Sequence, residues 1–415
     1  MRIIVDPEAV VHTESIRIWR CLGLAGMLAL PAMPQTPLVG TNGAVRINNS
    51  DVAVLETHEA RKDLPCTVTP AKPELGFDLR FHTHYDVSIP LNDLAGSENQ
   101  LTILFRVTPA GADEPSFFIQ RIHVPMMNEE TKGDATLSGM VELGEGNYHV
   151  DWLMRDRAER VCSSFWDSEA ALPAKDKQME LTLPPGMVEG PQVEQFAEEP
   201  PVPRDDGSQP LKIKVLVNFA PQNADSAALR PLDTQALVTM LRQISREPRF
   251  GKFSLIAYNV QQQKVLYRQS EADRIDFPAL GEAVQNIKLG TVDAQKLGQK
   301  HSEVEFLSNL IQTEISGDHP DALIFAGPKI MLDDSVPDDQ LKPFAAAVDF
   351  PVFYVNYNLN PQAMPWRDSI GHAVKLFKGT EYTITKPRDL WFSVTEMVSR
   401  IVKSRHGRST ASGLQ

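Results

Sequence analysis

A short apolar run near the middle of the chain most constrains its fold. Residues 211–221 read LKIKVLVNFAP, in which the apolar run VLV ends at a polar residue and is followed by a proline. Such a run, when a helical pattern comes after it, is typical of a strand buried on both faces of a parallel sheet. The run therefore predicts the opening strand of an α/β domain.

The rest of residues 211–405 alternates helix and strand patterns. An apolar stripe at helical spacing follows the opening strand, and two strand patterns joined by QQQ at 261–263 predict a hairpin. Apolar runs at 322–326 and 352–355, together with the segment 380–385, predict three further strands. The predicted order is strand, helix, hairpin, two helices, strand, helix, two strands and a final helix. This order predicts a doubly wound α/β sheet with helices on both faces.

Residues 75–187 carry a different pattern, with apolar and polar residues alternating at a period of two between Gly- and Pro-containing turns. Short strands without a helical period predict an all-β sandwich of about seven strands. Residues 188–210 then hold six acidic residues, one arginine and five prolines. That composition predicts a stiff, self-repelling linker between two domains, so the fold class is multidomain.

Residues 1–34 predict a signal peptide, because Arg17 and Arg20 precede an uncharged apolar run that ends in Pro31. The run is shorter than the roughly 20 residues that span a bilayer, so no membrane span is expected in the mature chain. The acidic residues before Ser15 leave two alternatives open, a start site further along the chain or no signal. Residues 35–74 predict an irregular tether, and residues 406–415 a disordered tail. The expected location is periplasmic or secreted.

Charge and cysteine content narrow the classes of partner. The chain has 41 basic and 54 acidic residues, a formal net charge of -13. Nucleic acids and anionic membranes require clustered Lys and Arg, so no nucleic-acid partner is expected. If export removes Cys21, only Cys66 and Cys162 remain in an oxidising compartment, and we predict a disulfide between them. The alternative is a buried thiol at Cys162 and a solvated one at Cys66.

Several short segments resemble a known family. They are 214–217 (KVLV), 253–258 (FSLIAY), 321–325 (DALIF), 379–382 (GTEY) and 387–390 (PRDL). Together with the element order, they resemble the von Willebrand factor A domain, and most closely the VWFA-related proteins of acidobacteria. Two upstream segments, 146–152 (GNYHVDW) and 162–166 (CSSFW), look like the sandwich that accompanies this domain in that family.

The resemblance implies a metal-dependent adhesion site, in which an Asp-x-Ser-x-Ser motif after the first strand holds Mg²⁺. Here Asn218 replaces the aspartate, and alanine and Gln222 replace the two serines. Thr291 stands where the family has a threonine, and Asp333 and Asp334 follow the next buried strand as possible oxygen donors. We therefore expect a degenerate binding site, without a metal or cofactor, marked by Asn218, Gln222, Thr291, Asp333 and Asp334.

Two other patterns bear on chemistry. His82, His84 and Asp86 share one face of a predicted strand, a spacing that metal ligands can use. No further ligand cluster is visible nearby in the sequence, so a solvated strand face is the favoured interpretation. The sequence contains no nucleophile elbow, phosphate-binding loop, zinc-protease motif or dinucleotide fingerprint after a strand, so we expect no enzyme activity.

These features predict an exported interaction protein, in which a β-sandwich is joined to a domain like that of von Willebrand factor A. Binding of a protein partner is expected at the loops after the carboxyl ends of the strands. Two alternatives remain open. One is a metal-dependent binding protein of the same fold with non-standard ligands. The other is an unrecognised hydrolase that uses scattered carboxylates.

Overall fold

In the computed structural model, the chain divides into two compact units, Met1–Val193 and Glu194–Gln415. The structure describes residues 36–37, 47–96, 98–112, 114–128, 130–191, 194–204, 210–222, 229–285, 302–317, 319–330, 332, 336–346, 348–358 and 367–412. The predicted signal peptide, residues 1–34, lies outside these ranges. Within them, no helix combines the length and the apolar character that crossing a membrane requires.

The first unit contains two antiparallel sheets. One consists, in spatial order, of β1 (Thr36–Pro37), β6 (Ser116–Val124), β5 (Asn99–Pro109), β8 (Gly146–Arg155) and β9 (Val161–Ala170). The other consists of β10 (Val188–Glu189), β7 (Asp134–Leu143), β4 (Phe81–Pro90) and β2 (Thr67–Pro70), with β3 (Glu74–Leu75) also paired to β4. Short helical segments lie at α2 (Leu91–Leu94) and at Ala174–Asp176.

Aromatic side chains from the two sheets meet between them. The ring of Tyr85 on β4 lies 5.7 Å from that of Phe105 on β5 and 5.8 Å from that of Trp152 on β8, and all three residues are buried. These positions belong to the apolar half of the alternating pattern, so a period of two does place one face of each strand inward. Residues 179–183 also carry the alternating pattern, but they form no strand, even though Met179 and Leu183 are buried.

Within the segment predicted as an irregular tether, residues 35–74, the described residues 36–37 and 47–74 are part of the folded unit. Its helix α1 (Asn49–Thr57) packs Val54 and Leu55 against Leu104 and Leu153, whose side chains cover the outer face of a sheet. The tether prediction is therefore wrong for these residues, because the apolar side chains of α1 are buried. Later in the same segment, Cys66 forms a disulfide with Cys162 of β9, and their Cα atoms are 6.3 Å apart.

The second unit is built on a mixed six-stranded sheet. Its spatial order is β13 (Lys264–Ala272), β12 (Phe250–Asn259), β11 (Leu211–Asn218), β14 (Ala322–Pro328), β15 (Val352–Tyr357) and β16 (Thr380–Ile384). All neighbouring pairs are parallel except β12 and β13, which form an antiparallel hairpin. The strand predicted from the run VLV lies in the middle of the sheet, where both of its faces are buried. In chain order within the unit, the strands are arranged 3-2-1-4-5-6, a common order in open α/β sheets.

Helices cover both faces of this sheet. They are α3 (Pro231–Ser245), α4 (Phe277–Gln285), α5 (Ser302–Ser316), α6 (Asp338–Ala345), α7 (Ser369–Leu376) and α8 (Pro387–Ser412). Leu216 of β11 belongs to one core cluster with residues of α5, α6 and α7, whereas its buried neighbours Val215 and Val217 lie outside that cluster. Helices α3 and α8 contact each other and the sheet. Their buried residues also lie outside that core cluster. Helix α7 separates two strands that were predicted to be consecutive.

Two segments predicted to lie outside the folded domains differ from the structure. Within the predicted linker 188–210, Phe196 is buried, and Glu199 forms ion pairs with Arg242 (2.8 Å) and Arg246 (2.7 Å) of the second unit. The prediction of a self-repelling linker is therefore wrong for residues 194–204, because arginines neutralise the charge of Glu199. The predicted disordered tail, residues 406–415, is also wrong in part, because α8 continues as far as Ser412.

Candidate functional site

The predicted site lies at the carboxyl ends of the parallel strands in the second unit. Asn218 ends β11 and is fully buried. Its Oδ1 accepts hydrogen bonds from the backbone N–H groups of Ala220 (3.2 Å) and Val260 (3.3 Å). The Asn218 amide therefore joins the chain after β11 to the end of β12. It faces protein, not solvent.

The neighbouring strand closes the space beside Asn218. Gly327, near the end of β14, approaches it so closely that a Cβ atom at residue 327 would lie 3.0 Å from Asn218 Cβ and 3.3 Å from its carbonyl oxygen. Such distances are shorter than ordinary carbon contacts, so an aspartate cannot occupy position 327 without displacing β11 or β14. The ends of β11 and β14 are packed directly together here.

The other predicted site residues fall in two groups. Gln222 is half-buried, and its Nε2 lies 3.4 Å from Oδ1 of Asn358, which follows β15. The structure thus brings together the segments after β11 and β15. Thr291, Asp333 and Asp334 lie outside the described residues, so their placement as possible ligands stays a prediction.

A buried carboxylate that the sequence analysis missed lies at this edge. Asp368 precedes α7, and its Oδ1 accepts a hydrogen bond from the N–H of Gly371 (2.8 Å). Its Oδ2 accepts from the Ile330 N–H (3.1 Å) and the Tyr354 hydroxyl (2.7 Å). Burial raises the pKa of Asp368 above its usual range, although these hydrogen bonds oppose the shift. The residue therefore caps a helix and links β14 to β15. An aspartate before the apolar pattern of residues 370–374 was the available signal.

The acidic groups on the outer part of the edge are also engaged. Glu381 Oε1 accepts a hydrogen bond from Nδ2 of Asn356 (2.9 Å), and its Oε2 accepts one from Nε of Arg367 (2.9 Å). Asp338, at the start of α6, is bonded to Nε2 of His372 at 2.8 Å. Hydrogen bonds from His372 and Lys342 hold the pKa of Asp338 below its usual value. Among the described residues, these acidic groups are therefore held in hydrogen bonds and ion pairs within the unit.

Among the described residues, His82, His84 and Asp86 on β4 do not form one metal-binding cluster. Nε2 of His82 donates to Asp78 Oδ1 at 2.9 Å, and Glu142 lies in the same cluster but is paired with Arg80. Burial lowers the pKa of His82, but the hydrogen bond and charge of Asp78 raise it above the usual value. His82 and Glu142 are thus engaged by Asp78 and Arg80. Among the described residues, His84 and Asp86 belong to no candidate metal cluster.

Comparisons with known proteins identify no family for this chain. No protein-family model matches it, and no curated protein matches it. Among solved structures, it is similar to a β-glucosidase from Listeria innocua in complex with gluconolactone, with 9% identity, 26% of this chain, 16% of that chain and a TM-score of 0.17. It is also similar to a superoxide reductase (neelaredoxin) from Ignicoccus hospitalis, with 9% identity, 30% of this chain, 100% of that chain and a TM-score of 0.18.

A β-glucuronidase from Bacteroides uniformis is similar over a longer stretch, with 8% identity, 75% of this chain, 35% of that chain and a TM-score of 0.19. The chain thus spans less than a fifth of the Listeria β-glucosidase and about a third of the β-glucuronidase. Similarities at these TM-scores support no inference about the fold or activity of this chain.

Proposed function

We propose that the second unit is a domain like that of von Willebrand factor A, and that the chain is an exported interaction protein. It binds a protein partner through the carboxyl ends of the strands and needs no conventional metal site. The strand order and the antiparallel edge strand β13 support this class of domain. Fold alone does not establish function, so the proposal depends on the chemistry at the carboxyl ends of the strands.

The packing of Asn218 is the observation that carries the proposal. Mg²⁺ prefers near-octahedral oxygen ligands and gives up its water reluctantly. Asn218 is fully buried, its Oδ1 is used by two backbone N–H groups, and Gly327 lies against its Cβ. The position that would anchor the ion is therefore filled by protein atoms. Binding at this edge is expected to be independent of divalent cations.

Site-specific photo-crosslinking tests the proposed edge. A crosslinking residue at position 222 should capture a defined protein partner in the native organism. The same crosslinking residue at position 252 should capture no partner. Lys252 lies near the amino end of β12, at the opposite end of the parallel strands. EDTA should leave the crosslink unchanged. Equal capture from both positions, or loss of capture in EDTA, would contradict the proposal.

Metal independence has its own readout. An ion that binds only the native state at a hundredfold excess over its Kd stabilises it by about 2.7 kcal/mol. We therefore expect no change in the melting temperature of the metal-free full chain when millimolar Mg²⁺ or Ca²⁺ is added. A rise that disappears in Thr291→Ala or Asp333→Ala would instead make metal-dependent binding the better description.

Export is part of the same proposal, and it depends on the pattern in residues 17–32. Cell fractionation of the native organism should recover a shortened chain outside the cytoplasm, with residues 1–34 absent by mass spectrometry. An uncleaved chain confined to the cytoplasm would remove export from the proposal, while the binding edge would still be tested by crosslinking.

A further inference from the structure

Three potential metal ligands meet on the first unit, far along the chain from one another. His149 and Asp151 are two residues apart on β8, so their side chains share one face of the strand, opposite Trp152. Helix α1 packs on this face, and His58 is the residue that follows it. One ligand atom from each of the three side chains lies within 4.8 Å of the other two. We call them the His-His-Asp cluster.

The ligand atoms of this cluster converge, and two of them make no hydrogen bond. Asp151 Oδ1 lies 3.1 Å from His58 Nδ1 and 3.3 Å from His149 Nε2. The Asp151 side chain is only 1% exposed, yet neither its Oδ1 nor His149 Nε2 makes a hydrogen bond. Buried polar atoms nearly always have a partner, because an unpaired one loses its hydration without compensation. Two imidazole nitrogens and a carboxylate oxygen thus face a common point.

The distances fit the coordination sphere of a transition metal. Zn²⁺ bonds to nitrogen and oxygen are about 2.0–2.1 Å long, and tetrahedral angles then separate adjacent ligand atoms by about 3.3 Å. The two separations that involve Asp151 Oδ1, 3.1 and 3.3 Å, match that value. The separation between the two imidazole nitrogens is at most 4.8 Å, and rotation of the half-exposed His58 side chain can shorten it.

Outer partners hold two of the three ligands in this orientation. Asp167, the cross-strand neighbour of His149, lies with its Oδ1 2.7 Å from His149 Nδ1. Arg106 donates from Nε to Asp151 Oδ2 at 2.8 Å, which leaves Oδ1 directed at the cluster. Metal-binding histidines characteristically donate their second N–H to a carboxylate, because this fixes the ring and makes the ligating nitrogen more basic. The Asp167–His149 pair has this arrangement.

The end of α1 brings the third ligand into place. His58 adopts a left-handed backbone conformation with φ of 52°, which is uncommon for a residue with a side chain. Arg106 Nη2 donates to the carbonyl of Leu55 at 3.4 Å, so the residue that holds Asp151 also contacts the last turns of α1. The rings of His149 and Phe165 lie 5.5 and 5.4 Å from the His58 ring and flank it.

We propose that His58, His149 and Asp151 bind one divalent transition-metal ion of the Zn²⁺ class. Two imidazoles and a carboxylate suit Zn²⁺, Co²⁺, Ni²⁺ or Fe²⁺, whereas Mg²⁺ and Ca²⁺ prefer oxygen ligands alone. Three protein ligands leave the fourth position of a tetrahedral ion for water or a small anion. Three protein ligands with one open position are typical of sites that activate a bound molecule. This inference does not depend on the function proposed for the second unit.

Metal titration of the full chain tests the proposal. The protein is prepared without a histidine tag, with Cys21→Ser to remove an unpaired thiol, and is freed of metal with EDTA. Calorimetric titration with Zn²⁺ should give one tight site, and Co²⁺ should give the visible absorption of a tetrahedral ion. His58→Ala and His149→Ala should weaken binding by about 100-fold or more, and Asp167→Asn by about 10- to 100-fold.

His123→Ala is the matched control. His123 lies on β6 of the same unit, is 57% exposed and pairs with Glu98 at 3.0 Å, outside the His-His-Asp cluster. Its substitution should leave the affinity and the Co²⁺ spectrum unchanged. His58→Ala should keep the melting temperature of the metal-free chain, which separates loss of a ligand from loss of the fold. No tight Zn²⁺ site, unchanged affinity in His58→Ala, or an equal loss in His123→Ala would overturn the proposal.

Discussion

Lys214 lies in the middle of β11 with its Nζ 3.3 Å from Oε2 of Glu314, and this pair is buried between the central strand and α5. Nζ also donates to the backbone carbonyl of Glu314 at 3.0 Å, and Arg268 of β13 pairs with the other carboxylate oxygen. The lysine and glutamate side chains are 4% and 5% exposed. A charged residue is thus accommodated in a strand buried on both faces because its partner reaches it from a helix.

Replacing Lys214 with methionine should destabilise the second unit. Removal of one partner from a buried ion pair leaves the other charge without its counterion and typically costs about 3–5 kcal/mol. Arg268 remains beside Glu314, so we expect the lower end of that range, measured by urea denaturation. Lys212→Met is the control, because the ion pair of Lys212 with Glu271 is half-exposed and solvent screens it. Equal destabilisation by both substitutions would contradict the role of the buried pair.

Glu199 should contribute to the stability of the second unit although it lies in the segment predicted as a linker. Its side chain is 10% exposed and pairs with Arg242 and Arg246. Glu199→Gln removes a buried charge from between two arginines, so we expect a loss of about 3 kcal/mol or more and faster hydrogen exchange in residues 194–204. Glu198→Gln should change neither quantity, because the Glu198–Arg274 pair is mostly exposed. Equal effects would show that the segment is not held by Glu199.

The disulfide between Cys66 and Cys162 should be present in the chain isolated from an oxidising compartment. It ties the segment after α1 to β9 across 96 residues of sequence. Its loss in a Cys66→Ala, Cys162→Ala double variant should lower the free energy of unfolding by about 2–4 kcal/mol. Intact mass after alkylation without reductant is the direct measurement. Alkylation of both cysteines would show that the prediction is wrong.

Stability of the first unit should depend on pH through His82. The pKa of His82 is raised by Asp78 above its ordinary value near 6.5, so folding favours the protonated form. Its contribution is therefore fully present below about pH 6.5 and is lost as the pH rises through the folded-state pKa. Urea midpoints of the native chain and His82→Gln should differ most at low pH and converge in alkaline buffer.

His84→Gln provides the matched control for this measurement. His84 lies on the same strand but is exposed. Its variant should follow the pH profile of the native chain. A difference between the native chain and His82→Gln that grows with pH would contradict the predicted sign.

Local pattern was sufficient for much of the fold. The run VLV after Lys214 predicted a strand with two buried faces, and the structure places β11 between two parallel neighbours. The hairpin predicted around residues 261–263 is present as β12 and β13. Such signals work because strand and helix periodicities, caps and turns depend on residues only a few positions apart. The missed helix α7 had a usable cap at Asp368 but only a short apolar pattern.

Contacts between distant residues decided the rest. The sequence placed acidic residues in a linker, but it did not show that arginines of α3 and its C-terminal end would neutralise Glu199. The sequence predicted that Asn218 is a degenerate ligand position. Only the tertiary structure showed that Gly327 of β14 closes the space beside it. The His-His-Asp cluster joins residues from the end of a helix and the middle of a strand. Periodicity describes which face a side chain takes, whereas the tertiary structure determines which distant side chain meets it there.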